Sequence, residues 1–344
     1  MTASIALPPT DSQHATRLLA RALGESFDPA RTVIDAPIDG AVNRTWPVVH
    51  CGRKYALRLR REETHFRYER GIAKSALVAR IHAAKKAGWS DARTARENFV
   101  GPADLAPPFA PPLLHWSNGD EHWPLPWELT GWCEGTTLAR HADAATISRA
   151  GAAIAEVHCV RFEGGHADLL SLDRAPLDFA AWLDAGIARE LARGRIPPSL
   201  ARFVENLGAH APRNVQWTLA HNDLHGLHLI DDAAAGRIWI IDWDNAAVAP
   251  PELDFVKLRY WTRVDAQTGR LTADPEIYGA IRAAYAAAGG PTLDIAVSRA
   301  CEALWLLRVF HFETDRKLAG KPTPRLFPPA ETYLDALEAL AKSQ

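Results

Sequence analysis

Two carboxylates in the second half of the chain have the residue types and the spacing that phosphoryl transfer requires. Asp223 precedes a β-like run, LHLID, and Asp242 ends a second run, RIWIID, with Gly236 in the turn between them. A hairpin can bring two such ends together in space. One carboxylate facing a substrate hydroxyl and one facing a metal ion would serve a reaction that depends on positioning and on neutralising phosphate charge. The alternative is that the two carboxylates merely cap a hairpin.

These residues need elements that hold them in place, and the apolar periodicity predicts two kinds. Before about residue 140, it predicts a helix over 12–26, a hairpin of 44–50 and 54–60, a long helix over 62–87, and strands at 113–116 and 127–133. Beyond that point it predicts helices, interrupted by a β-rich island from Trp217 to Asp242; the helices are 146–158, 178–193, 275–288, 293–316 and 330–342. We therefore expect an α+β protein of two lobes, a small β-rich lobe over 1–127 and a larger helical lobe over 128–344.

The composition excludes several classes of protein. Lys and Arg number 39 against 41 Asp and Glu, and this balance disfavours a nucleic-acid binder. No apolar run approaches the ~18 residues of a membrane span, and the first residues lack the pattern of a secretory signal. The four cysteines form no CxxC pair, so we expect reduced thiols in a cytoplasmic protein. Neither a GxxxxGK[ST] loop nor a GxGxxG fingerprint is present.

An ordered set of short motifs resembles the aminoglycoside phosphotransferase and choline kinase superfamily. The set begins with His221-x-Asp223, Ile241-Asp242-Trp243 and Asp254. Upstream, the segment 38–45 is similar to the family's nucleotide-covering loop, 55–59 to the strand with a phosphate-contacting cation, and 123–135 to the strand that receives adenine. The resemblance implies a protein-kinase-like fold. Each motif is weak alone, and their order along the chain makes the set specific.

The resemblance also implies roles for individual residues. It makes Asp223 the group that accepts or orients the proton of the substrate hydroxyl, and Asp242 a ligand of Mg²⁺. Asp254 would anchor the catalytic loop by hydrogen bonds, and His221 would brace it. The residues implied to contact the nucleotide or to support that contact are Gly40, Asn43, Arg58, Glu69, Thr130 and Trp132.

Two of these nucleotide residues have open alternatives. Glu69 is the best candidate to pair with Arg58, but it is one of several acids on a charged helix. Arg58 stands in the basic run Arg58-Leu59-Arg60-Arg61, so an exposed strand position is the alternative for it. A guanidinium in place of the more usual lysine would still clamp phosphate oxygens.

One position departs from the family's pattern. Five residues after Asp223 the family has Asn, a second metal ligand, and this chain has His228. Magnesium prefers oxygen ligands, whereas imidazole suits later first-row metals. His228 is thus either a metal ligand, favouring Mn²⁺ over Mg²⁺, or a packing residue. We expect the neighbouring His225 to be a solvated loop residue.

The sequence thus favours a phosphotransferase that moves the γ-phosphoryl group of ATP or GTP to a hydroxyl of a small molecule. An antibiotic, aminoglycoside or macrolide-like, is the leading acceptor, and Mg²⁺ or Mn²⁺ the cofactor. The alternatives are a pseudokinase that binds nucleotide without turnover and a kinase of a small metabolite alcohol. No nucleic acid or membrane partner is expected.

Overall fold

The chain forms two compact units that are not contiguous in sequence. The computed structural model describes residues 12–39, 43–60, 78, 109–117, 119–166, 177–321 and 326–343. The smaller unit comprises Met1–Gly135 together with Trp239–Ala246, and the larger comprises Thr136–Ile238 with Ala247–Gln344. The sequence placed a boundary after residue 127. The predicted helix over 62–87 lies outside the described residues, apart from residue 78.

An antiparallel sheet forms the centre of the smaller unit. Its strands follow the order β1-β3-β4-β6-β5, with β2 paired to β3, and their bounds are β1 Thr32–Ile34, β2 Ile38–Asp39, β3 Asn43–His50, β4 Arg53–Arg60, β5 Leu113–Ser117 and β6 Trp127–Gly131. The predicted hairpin is confirmed as β3 and β4, paired from His50 and Arg53 outward. Both residues of its turn, Cys51 and Gly52, have positive φ angles, as the tight two-residue turns of β-hairpins require.

One face of this sheet packs on helix α1 (Ser12–Leu23). Leu57 and Leu59 of β4 are fully buried against Leu18 and Leu19 of the helix, together with Trp46 and Trp127 of the neighbouring strands. Because side chains alternate along a strand, this packing places Arg58 on the opposite face of β4. The hydrophobic pattern that builds the core therefore also fixes the direction of the candidate phosphate-binding residue.

The larger unit is mainly helical. The described helices are α2 Ala144–His158, α3 Phe179–Leu191, α4 Pro198–Ala209, α5 Glu252–Tyr260, α6 Pro275–Ala287, α7 Ile295–Leu318 and α8 Ala330–Lys342. Its largest core centres on the long helix α7, whose Ala300, Leu304 and Leu307 are buried among residues of α3, α4 and α8. All five helices predicted here are confirmed within about two residues at each end. Helices α4 and α5 were not predicted.

Short strands support the loops between these helices. Strand β9 (Trp217–Ala220) lies between β8 (Arg161–Phe162) and β12 (Ala247–Ala249), and β10 (Leu229–Asp232) pairs with β7 (Thr136–Thr137). Strand β11 (Arg237–Ile240) then carries the chain from the larger unit into the smaller one. The remaining short hairpin consists of β13 (Arg263–Val264) and β14 (Leu271–Thr272). Both carboxylates of interest follow strands of this island.

The architecture confirms the expected α+β class, with an antiparallel N-terminal sheet and a helical C-terminal part. All four cysteines are free thiols. Within the described ranges, no helix is both long enough and apolar enough to cross a membrane.

Candidate active site

Helix α5 anchors the loop that carries Asp223. Its Asp254 is 1% exposed and accepts hydrogen bonds from the backbone N–H groups of His221 (2.8 Å) and Asn222 (2.5 Å). The Nε2 atom of His158 lies 3.0 Å from the same carboxylate. Burial opposes the charged form, but these hydrogen bonds and the nearby imidazoles hold the pKa of the Asp254 carboxyl below its ordinary value. This is the anchoring that the sequence led us to expect of Asp254.

A lysine one turn further along α5 holds Asp223 itself. The Lys257 Nζ atom donates to Asp223 Oδ1 at 2.6 Å and to the carbonyl oxygen of Asn222 at 3.0 Å. Burial alone would raise the pKa of the Asp223 carboxyl, but the Lys257 ammonium, with His228 and His225, lowers it well below its ordinary range. Asp223 is therefore a firmly ionised and rotationally fixed carboxylate.

Three histidines of the same loop lie next to Asp223. The Nδ1 atom of His228 lies 2.9 Å from the carbonyl oxygen of Asp223, so Nδ1 carries the proton and the lone pair of the neutral ring is on Nε2. The ring of His225 lies against that of His228 at 3.7 Å between centroids. His221 is 1% exposed, and its Nδ1 accepts from the backbone N–H of Asp223 at 3.2 Å.

The expectation for His225 was wrong. It is 5% exposed rather than solvated, packed between His228 and Trp261. Burial and the neighbouring His228 lower the pKa of the His225 imidazole well below its ordinary value. The cause is the tight turn after Asp223, in which Gly226 lies against the backbone of Thr262: a Cβ atom at Gly226 would come within 2.0 Å of that carbonyl oxygen. This contact draws the loop into the interior.

Asp242 stands just after β11 in an unusual backbone conformation. Its φ and ψ angles are 64° and 61°, in the left-handed region, which few residues other than glycine adopt and which is enriched at functional sites. Its side chain is 34% exposed. Two residues on, Asp244 is buried, and Trp243 packs on Phe109 at 5.6 Å between ring centroids. The buried residues hold the strained one in place.

Arg58 joins these carboxylates within the smaller unit. Its Nη2 atom donates to Asp242 Oδ1 (2.9 Å) and to Asp244 Oδ2 (2.7 Å), and its Nη1 atom to Glu128 Oε1 (2.9 Å). With its amide oxygen turned toward Arg58, Asn43 accepts from Nε at 3.0 Å. Burial would lower the pKa of the Arg58 guanidinium, but the three carboxylates raise it well above its ordinary value. Arg58 is 13% exposed, so it is not the exposed strand residue of the alternative interpretation.

Of the other residues predicted to contact the nucleotide, two lie in or just after β6 and two lie outside the described residues. Thr130 lies in β6, paired with Ala56 on one side and Leu113 on the other. The backbone N–H of Trp132 donates to the carbonyl oxygen of Lys54 at 3.2 Å. A nucleotide base bound at this strand would therefore contact the side chain of Trp132 or other backbone groups, rather than this N–H. Gly40 and Glu69 lie outside the described residues, as does the predicted pairing of Glu69 with Arg58.

Sequence reasoning missed three charged residues of these clusters. Asp244 follows Asp242 by two positions, and that spacing was a visible signal. Glu128 is the direct cross-strand neighbour of Arg58, a relation that requires the register of β4 and β6. Lys257 reaches Asp223 because α5 places it one turn from Asp254, and the helix itself was not predicted.

The residues present suit a magnesium ion, which the resemblance implies. Magnesium usually keeps several waters and binds through one or two carboxylates together with substrate phosphates. The partly exposed carboxylate of Asp242 meets that requirement. Over the described part of the chain, no three His, Cys, Asp or Glu side chains form a ready-made metal site.

Comparison with known proteins places this geometry in a family. The model of the phosphotransferase enzyme family matches residues 34–296. No curated protein matches the sequence.

Solved structures share the fold at low sequence identity. They include the macrolide 2'-phosphotransferase MphH from Brachybacterium faecium (18% identity, 98% of this chain and 99% of that chain, TM-score 0.58) and the aminoglycoside phosphotransferase APH(4)-Ia (13%, 97% and 99%, TM-score 0.61). The spectinomycin phosphotransferase APH(9)-Ia, solved with ADP and spectinomycin, is also similar (10%, 97% and 98%, TM-score 0.58). Because the family model spans most of the sequence, the chain belongs to the phosphotransferase enzyme family.

Proposed function

We propose that the protein transfers the γ-phosphoryl group of ATP or GTP to a hydroxyl of a small molecule, and that the acceptor is an antibiotic. The observation that carries the proposal is the environment of Asp223. Its carboxylate is ionised, fixed by Lys257 and mounted on a loop that Asp254 anchors through two backbone hydrogen bonds. An oriented anion on an anchored loop is suited to receive a hydroxyl group.

In this proposal Asp223 orients the acceptor rather than capturing its proton early. The low pKa of its carboxyl makes it a weak base, and phosphoryl transfer through a loose transition state requires little deprotonation before the bond to phosphorus forms. The acceptor oxygen forms the new bond to phosphorus as the bond to the bridging oxygen breaks. The electron pair leaves with the nucleoside diphosphate, and the hydroxyl proton passes to Asp223 late in the step.

The residues of the smaller unit would meet the nucleotide phosphates. Asp242 would hold a Mg²⁺ or Mn²⁺ ion that neutralises phosphate charge when bound; His228, a residue of the larger unit, is kept from the sequence as the second candidate ligand. Arg58 would contact the phosphates, and Asn43, Thr130 and Trp132 would complete the nucleotide site; we keep Gly40 and Glu69 in that role from the sequence.

For Arg58 this role has a physical requirement. Its guanidinium already donates to Glu128, Asp242 and Asp244, so phosphate oxygens must compete with carboxylates for the same N–H groups. A cation that binds Asp242 weakens that competitor. We therefore expect nucleotide affinity to depend strongly on divalent metal.

The acceptor class is inferred from the structural neighbours. They include a macrolide phosphotransferase, a spectinomycin phosphotransferase bound to ADP and spectinomycin, and an aminoglycoside phosphotransferase bound to hygromycin B with AMP-PNP or ADP. Hygromycin B and spectinomycin are small-molecule antibiotics. We propose an acceptor of this type, modified in the cytoplasm where ATP and GTP are available.

A pseudokinase that binds nucleotide without turnover is the second candidate, and His228 is the observation that favours it. An imidazole replaces an amide oxygen, and its Nδ1 is engaged by the Asp223 carbonyl. The two candidates predict the same nucleotide binding but opposite results for nucleotide consumption.

The test measures ADP or GDP release with ATP or GTP, in Mg²⁺ or Mn²⁺, with hygromycin B, spectinomycin and a macrolide as acceptors. We expect acceptor-dependent release from the wild type and a kcat lower by roughly 10²–10⁴-fold in Asp223→Asn. Asp265→Asn is the matched control, because Asp265 closes an exposed turn with Thr268. Binding of AMP-PNP without turnover of any acceptor would instead identify a pseudokinase.

A further inference from the structure

Lys257 is the charged group nearest to Asp223 that neither the motifs nor the family resemblance assign. It lies on α5 three residues after Asp254, so the two side chains leave the helix on one face. Asp254 fixes the backbone of the loop at His221 and Asn222, and Lys257 fixes the side chain of Asp223. One helix thus sets both the position and the rotation of the candidate catalytic carboxylate.

The geometry of Lys257 differs from that of a surface ion pair. Its side chain is 19% exposed and that of Asp223 is 22% exposed, and their atoms lie 2.6 Å apart. Two of the three N–H bonds of the ammonium are accounted for by Asn222 O and Asp223 Oδ1. The ammonium therefore lies within hydrogen-bonding distance of the carboxylate at which the acceptor hydroxyl would bind.

We propose that Lys257 is a positioning residue for phosphoryl transfer. Its ammonium fixes the rotation of the Asp223 carboxylate, so that the oxygen it does not hold faces the acceptor hydroxyl. This inference rests on the proposed function.

Lys257 is preorganised for this role. Asn222 O and Asp223 Oδ1 hold its ammonium before any substrate binds, so neither it nor the carboxylate needs to reorient during the reaction.

The experiment compares Lys257→Met, which removes the charge at similar length, with Lys257→Arg, which retains it. Lys317→Met is the matched control, since Lys317 forms an exposed ion pair with Glu331. For each protein we would measure the melting temperature, the dissociation constant for AMP-PNP with Mn²⁺ by calorimetry, and kcat and KM for whichever of hygromycin B, spectinomycin and a macrolide the wild type phosphorylates.

We expect Lys257→Met to lose about 10²-fold in kcat, with AMP-PNP affinity within about twofold of the wild type, and Lys257→Arg to recover at least a tenth of the activity. A purely structural lysine would change the melting temperature and leave kcat of the folded fraction unchanged, and that result would overturn the inference while the proposed function stands. Equal loss in the Met and Arg variants would also overturn it. Absence of wild-type turnover with every acceptor would overturn the proposed function, and this inference with it.

Discussion

Replacing Asp254 with Asn should destabilise the larger unit substantially, although the change replaces a single oxygen atom with an amide nitrogen. The carboxylate accepts from two backbone N–H groups and faces the His158 ring. Asn has one acceptor oxygen, which can serve Asn222. The amide N–H₂ group then points at the N–H of His221, where a donor meets a donor.

The size of this destabilisation depends on which hydrogen-bonding partners of Asp254 can find another arrangement. The His158 ring can exchange its proton between Nε2 and Nδ1, because the hydroxyl of Tyr285, 3.1 Å from Nδ1, can either donate or accept. The backbone N–H of His221 has no such freedom and stays buried without an acceptor, which costs about 1–3 kcal/mol. Adding the loss of charge-assisted bonds gives a decrease of about 2–4 kcal/mol in the free energy of unfolding. For a unit of this size that corresponds to a melting temperature lower by about 4–16 °C.

The pH dependence provides an independent check. The pKa of Asp254 in the folded protein is below its unfolded value, so its contribution is present above the unfolded pKa of about 3.9 and is lost as the pH falls through the folded pKa. The stability difference between wild type and Asp254→Asn should therefore be full near pH 7 and shrink below about pH 4.

Thermal unfolding followed by circular dichroism at pH 7 and in acid measures both effects. Asp143→Asn is the control, because Asp143 is the N-cap of α2 and accepts from Thr146 N, a role that Asn performs equally well. We expect its melting temperature to match the wild type. If Asp254→Asn also melts within about 1 °C of the wild type, the carboxylate does not anchor the loop.

Three further predictions concern the same loops. Asp242→Asn should abolish turnover and weaken metal-dependent AMP-PNP binding; unchanged affinity by calorimetry would remove Asp242 from the metal site. If His228 ligates metal, the wild type should prefer Mn²⁺ or Co²⁺ to Mg²⁺ and His228→Asn should gain Mg²⁺ activity, whereas identical metal profiles in both proteins would show that His228 does not contact the ion. Gly226→Ala should prevent folding or unfold the loop after Asp223, because its Cβ would lie 2.0 Å from Thr262 O. Gly279→Ala has open space around it and should be stabilised by about 0.5–1 kcal/mol. Equal melting temperatures for the two variants would refute the steric argument.

The elements that could be predicted are those with local signals. The hairpin of β3 and β4 has alternating buried residues and a Cys-Gly turn, and helix α8 carries an apolar stripe of Ala330, Tyr333, Leu337 and Leu340. Helix α5 has no such stripe: Glu252 and Asp254 are buried alongside Phe255 and Leu258. Its polar residues face inward and bind the loop of Asp223. The apolar periodicity that predicts a helix is therefore absent at the position where this helix supports the site.

The candidate site shows the same division. Asp223 and Asp242 could be identified from their places around a predicted hairpin, and the family resemblance added His221. The ion pair of Lys257 with Asp223 and the contact of Arg58 with Glu128 join residues brought together by tertiary packing and strand register. One sequence contains no measure of those distances.

The discontinuous smaller unit has a consequence for synthesis of the chain. Trp243 and Asp244 are buried in that unit, where Asp244 pairs with Arg58 and Arg60, yet they leave the ribosome about 110 residues after Gly135. At ~5–20 residues per second, this gap lasts roughly 5–20 s. During that interval Arg58 and Arg60 lack Asp244, Arg58 also lacks Asp242, and Phe109 lacks the Trp243 ring that packs on it. The core of the smaller unit is therefore completed only after Thr136–Ile238 of the larger unit has been made.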